Sequence, residues 1–115
     1  MSTTREYADY AADQLSGAGN VTLRKMFGDY GVYLNGKFMG VLCDNQLYIK
    51  PTDAGKAVLP DAEEAPPFEG ARPWLMAGSL DDRELMTRFL IASFEELPWQ
   101  KPKKKRPSRG SEKGL

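Results

Sequence analysis

Asn35-Gly36 lies between two runs of β-branched and aromatic residues, and this pair limits the possible folds more than any other feature of the chain. Asn and Gly tolerate the positive φ that both central positions of a type I′ turn demand, so the pair predicts a tight hairpin. Asp44-Asn45 interrupts the apolar pattern again nine residues on. The predicted strands are residues 30–35, 37–43 and 46–50, with a fourth through residues 23–27.

A two-residue turn also predicts a register. Leu34 should face Lys37, Tyr33 Phe38, Val32 Met39, Gly31 Gly40 and Tyr30 Val41. One face then carries Tyr30, Val32, Met39, Val41 and Cys43, and the other Tyr33, Phe38, Leu42, Leu47 and Ile49. Both faces are apolar, whereas a sheet with one wet face alternates with polar residues. Helices can cover one face; a second copy of the chain is the expected cover for the other. The Gly31–Gly40 pair leaves a bare patch where a ring such as Tyr33 or Phe38, or another backbone, can approach.

Helices are predicted at both ends. Tyr7, Ala8, Ala11, Ala12 and Leu15 recur on one face of residues 3–16, with Thr3 or Thr4 as the N-cap and Gly17 as the terminator. Near the other end, Leu85, Met86, Phe89, Leu90, Phe94 and Leu97 form a wide stripe, and Ser79 with Asp82 resembles a capping box. Between them, Thr52 or Asp53 can cap a short helix that Pro60 ends. Residues 61–73 read as a surface loop, with an edge strand near Phe68 and a further strand at residues 74–77. The fold class is α+β: an antiparallel sheet of about four to six strands flanked by N- and C-terminal helices, with a short helix inserted.

The formal charge of zero conceals a segregation. Residues 1–100 carry nine Lys and Arg against fifteen Asp and Glu, while residues 101–115 carry seven against one. The chain therefore divides into an acidic domain, 1–100, and a disordered basic tail, 101–115, with no bulky apolar residue before Leu115. There is no histidine, so a Ser-His-Asp triad, a Cys-His pair and a His-ligated zinc site are all excluded. Cys43 is the only cysteine; it precludes an intrachain disulfide, reads as a small buried hydrophobe and fits a reducing, cytoplasmic compartment. No apolar run approaches a membrane span, and no membrane association is expected.

Met26-Phe27-Gly28-Asp29-Tyr30-Gly31-Val32-Tyr33, then Asn35-Gly36-Lys37 and later Leu47-Tyr48-Ile49-Lys50, resemble the N-terminal domain of the TfoX/Sxy family over roughly residues 5–97. The resemblance implies an antiparallel sheet between terminal helices. It also implies a bacterial protein connected, in the best-known members, with regulation of competence for DNA uptake. The longer regulators carry a second, C-terminal domain; here the basic segment follows instead.

Each candidate site has a structural reading beside a functional one. Met26, Phe27, Gly28, Tyr30 and Gly31 read as core and as a glycine-assisted bulge, against a ligand or partner surface. Asp61, Glu63 and Glu64 read as a solvated loop, and Asp81, Asp82 and Glu84 as a charged helix start, against a metal or acid–base site. Tyr48 and Lys50 share a strand face, with Trp74 close by, and could stack on a nucleotide; core packing is the competing reading. Lys101, Lys103, Lys104, Lys105, Arg106 and Arg109 can each neutralise a phosphate, against a solubilising tail or one that folds back onto the acidic domain. No catalytic residue, metal ligand or cofactor is expected. The reading is a non-enzymatic regulatory or adaptor domain, homodimeric through its sheet, whose tail holds nucleic acid without sequence specificity. The alternative is a protein-interaction module with an unidentified protein partner; an enzyme working through carboxylate, Lys or Tyr chemistry ranks below both.

Overall fold

Three tight turns build most of the sheet. In the computed structural model, which describes residues 2–99, β1 (Val21–Met26), β2 (Asp29–Leu34), β3 (Lys37–Leu42) and β4 (Leu47–Ile49) form an antiparallel meander. Asn35 and Gly36 have φ of 51° and 87°, as a type I′ turn requires. Asp44 and Asn45 repeat the conformation at 54° and 58°, and the Cys43 and Gln46 backbones exchange both hydrogen bonds across that turn. Phe27-Gly28 makes the third such turn, at 52° and 86°. Phe27 was expected inside the first strand; instead Met26 pairs with Asp29 and Phe27 sits on the tip of the hairpin.

The sheet is completed by β5 (Glu64–Ala65) and β6 (Trp74–Met76), in the order β1-β2-β3-β4-β6-β5 with every pairing antiparallel. The edge strand thus falls at Glu64–Ala65, earlier than expected, and Phe68 lies in the loop after it.

The predicted register holds for two residue pairs and then slips. Leu34 faces Lys37 and Tyr33 faces Phe38, but Val32 faces Gly40, Gly31 faces Val41 and Tyr30 faces Leu42. Met39 is the extra residue of a β-bulge, and its carbonyl accepts the Lys50 N–H at 3.0 Å. Gly40 permits it: a Cβ there would lie 2.0 Å from the Tyr48 carbonyl oxygen. Because side chains alternate with a period of two, the slip exchanges faces beyond the bulge. Leu42, Leu47 and Ile49 join Val32 and Leu34 in the core, and Val41 turns to the opposite side.

The three α-helices of the described residues pack on that core. In α1 (Arg5–Leu15), Ala8, Ala11 and Leu15 are buried, and Thr4 Oγ1 accepts the Tyr7 N–H at 3.1 Å, so Thr4 is the cap. Gly17 does not end the helix in a left-handed conformation. A 3₁₀ turn, Ser16–Ala18, runs through it, and positive φ appears at Gly19. Thr52 caps α2 (Asp53–Val58). In α3 (Arg83–Glu96), Met86, Phe89 and Leu90 are fully buried against Leu75 and the strands. Its cap is Asp82, which accepts the Leu85 N–H at 3.0 Å, rather than Ser79; Ser79 Oγ accepts the Asp81 N–H in a local turn.

Lys37 closes the other end of α3. No basic residue occupies the last turn of that helix, and Pro98 follows its C-cap, Leu97. The Lys37 ammonium instead donates to the Phe94 and Leu97 carbonyls, both at 2.6 Å, and lies 4.0 Å from the centre of the Phe94 ring. A residue in the first β-hairpin position after Gly36 thus satisfies carbonyls that a helix leaves open.

Candidate functional site: the open face of the sheet

The core takes one face of the sheet, and among the described residues no helix packs on the other. Strand alternation places Gly31, Tyr33, Phe38, Val41 and Tyr48 together on this second face, with Trp74 beyond them. All three helices contribute to the opposite cluster. Val41 is nonetheless only 3% exposed.

The rings form a continuous row. Tyr33 and Phe38 are 5.3 Å apart between centroids, Phe38 and Trp74 6.3 Å, and Trp74 and Phe68 6.1 Å. They meet in tilted and edge-to-face geometries, which the ring quadrupole favours. Gly31 makes room for the first: a Cβ there would crowd Tyr33 at 3.3 Å, while Phe38 would lie at ordinary contact, 3.6 Å. Two cations border the row. Arg24 lies 5.9 Å from the Tyr33 ring centre and Lys50 5.6 Å from that of Phe38. Neither joins the ion pairs of the described residues, which are Arg5–Asp9, Lys56–Glu64 and Arg83–Asp13.

At one corner the surface runs on to the β1–β2 tip. Met26 is 41% exposed and the Phe27 side chain is wholly so, at 103%, on backbone with positive φ. These two residues were expected to fill core; they do not. The tip is locked in place by Asp29. Its carboxylate accepts the Thr3 hydroxyl at 2.8 Å, the Asp44 N–H at 3.2 Å and the Cys43 thiol at 3.4 Å. Thr3 N–H donates to the Gly28 carbonyl at 3.0 Å, which ties the start of the chain to the same turn. Burial, and next the hydrogen bond to Asp29, push the Cys43 thiol up to about 11. Cys43 is therefore half-buried and a poor nucleophile.

Of the residues singled out in the sequence, Tyr48, Lys50 and Trp74 do share a face, and Phe38 lies between Lys50 and Trp74. Tyr30 packs against the core, Gly28 belongs to the turn and Gly31 lies under the rings. Lys101, Lys103, Lys104, Lys105, Arg106 and Arg109 lie outside the described residues. The carboxylates disperse: Glu64 pairs with Lys56, Asp81 accepts the Tyr10 hydroxyl and Asp82 caps α3. Among the described residues, no group of three His, Cys, Asp or Glu is placed to hold a metal. No helix among them is long and apolar enough to cross a membrane. Arg24 and Phe68 were missed by sequence reasoning. An exposed Phe six residues before a Trp carries no pattern, and only the fold of the intervening loop makes them neighbours.

A cleft of about 530 Å³ lies at the far edge, lined by Gln46, Leu59, Glu63, Met76 and Leu85 among others. Gln46 Oε1 is buried there without a hydrogen-bond partner among the described residues.

The described residues thus form a single antiparallel sheet with helices on one side and an aromatic, cation-bordered surface on the other. The chain belongs to the TfoX N-terminal domain family, whose model matches residues 13–97. An uncharacterized 12.7 kDa protein from the 5′ region of trpE in Spirochaeta aurantia is 33% identical over 105 residues, covering 90% of this chain and 91% of the relative. No solved structure matches the chain.

Proposed function

We propose that this chain is a non-enzymatic regulatory or adaptor domain that engages nucleic acid, held without specificity by the basic segment 101–115. Membership of the TfoX N-terminal domain family supports a regulatory or adaptor role. The observation that carries the reading is the aromatic face with Arg24 and Lys50 beside its rings, neither of them in an ion pair among the described residues, on a domain whose charge is otherwise acidic. The chemistry of the side chains argues against catalysis. Histidine is absent, the one thiol is held protonated, and the best-placed carboxylates are occupied as a cap and a turn lock.

Fluorescence anisotropy with a mixed-sequence duplex tests this. With four to six phosphate contacts, log K should fall against log salt with a slope of about −4 to −5. Replacing Lys101, Lys103, Lys104, Lys105, Arg106 and Arg109 by Gln should abolish the binding. Affinity unchanged in that variant, or no binding at low salt, refutes the role of the segment.

The exposed Met26-Phe27 tip favours a second reading, a protein-interaction module that anchors this tip in an apolar pocket of a partner. A homodimer through the sheet has weaker support, since two copies face to face would bring two Arg24 and two Lys50 side chains into one interface. Light scattering at high concentration tests it, with monomer as the expected outcome.

A further inference from the structure

We infer that the open face of the sheet is a stacking platform for single-stranded nucleic acid, selected over duplex by the ring row Tyr33–Phe38–Trp74–Phe68. This rests on the proposed nucleic-acid role and names the form of nucleic acid that the folded domain itself prefers.

Charge complementarity chooses the occupant. Residues 1–100 carry six more acidic than basic groups, yet this face carries Arg24 and Lys50 without an ion-pair partner among the described residues. The ligand that fits is anionic. The rings narrow the choice further: an acidic peptide satisfies the cations and leaves the aromatic surface without a matching partner. A single strand supplies both, because every base has a π-face for an aromatic ring and every nucleotide a phosphate for a cation. A duplex keeps its bases stacked and cannot offer them. Each cation now lies over the ring beside it, so a phosphate that draws Lys50 or Arg24 outward also uncovers a ring face for a base. Phe68, 52% exposed at the end of the row, is the most accessible of the four.

The experiment uses the full chain carrying Trp99→Phe, so that Trp74 is the sole tryptophan. Oligo-dT, a duplex of equal length and polyglutamate are titrated across a salt series. Oligo-dT should quench Trp74 and bind more tightly than duplex. Phe68→Ala, at a mostly solvent-facing ring, should weaken oligo-dT binding about tenfold, in the range of one lost stacking contact, and leave duplex binding unchanged. Arg24→Gln with Lys50→Gln removes two phosphate contacts and should make the single-strand salt slope shallower by about 1.4. Equal binding of strand and duplex, unmoved by these variants, overturns the platform while leaving the basic segment as the binding element. Polyglutamate quenching Trp74 as strongly as oligo-dT overturns it in favour of an acidic peptide. No binding of any nucleic acid at low salt removes both this inference and the reading beneath it.

Discussion

Replacing Lys37 by Met isolates one contact between the hairpin and the closing helix. Lys37 is 4% exposed, and its ammonium is the donor for two carbonyls at the end of α3, each at 2.6 Å. Met retains most of the apolar stem and removes the donor. Hydrogen bonds to a charged group contribute about 1.5–3 kcal/mol each, net of solvation. Against this stands the gain from no longer burying an ammonium, which for some buried ion pairs makes an apolar replacement neutral or stabilising. Here the partners are backbone carbonyls that stay in place after the substitution, and Leu97 is itself 7% exposed, so at least one loses its donor with little access to water. The loss should therefore prevail, at about 2–4 kcal/mol. With a urea m-value of about 1.5 kcal/mol/M, the midpoint should fall by about 1.3–2.7 M with the slope unchanged. The ring contacts with Phe94 and Trp99 add to the loss in the same direction. A midpoint within 0.3 M of the parent, roughly half a kcal/mol, refutes the argument that Lys37 closes α3.

Three other substitutions or titrations check separate parts of the structure. Gly40→Ala sets a Cβ 2.0 Å from a backbone oxygen, so it should destabilise by about 3 kcal/mol or more, or prevent folding; circular dichroism showing a native melt refutes the bulge. Asp82→Ala should cost about 1 kcal/mol as a lost N-cap while Ser79→Ala stays within about 0.5 kcal/mol, and thermal melts giving the reverse order restore Ser79 as the cap. With its thiol pushed up to about 11, Cys43 should react with iodoacetamide at pH 8 about a hundredfold more slowly than an ordinary cysteine. The folded value lies above the unfolded one, so this group's contribution to stability is complete below about pH 9 and is lost as pH rises towards 11. A rate equal to that of free cysteine contradicts the Asp29 lock.

Much of this fold is local chemistry, and local chemistry can be read in a sequence. Asn35-Gly36 and Asp44-Asn45 adopt positive φ because their side chains tolerate it, and the hairpins follow. The helical stripes of α1 and α3 and the cap at Thr52 follow from spacing and side-chain donors in the same way. Even the aromatic patch was partly legible, since Tyr48 and Lys50 are two apart, with Lys50 directly after β4.

What the sequence could not decide was which face each residue beyond Met39 would occupy. The bulge there rests on the approach of the Gly40 backbone to Tyr48 and Ile49, a contact between neighbouring strands that strict alternation does not encode. One extra residue moves Leu42 into the core and Val41 out of it, and so gathers Leu42, Leu47 and Ile49 on the core face and leaves Tyr33 and Phe38 on the other. Phe27 shows the same limit: Gly28 beside it makes a turn possible, but only the pairing of Met26 with Asp29 places the ring on the tip. Lys37 looks like a solvated strand residue until α3 ends above it, with carbonyls that need a donor. Turns and stripes depend on neighbours in the chain, while faces, tips and buried charges depend on what the rest of the molecule brings against them.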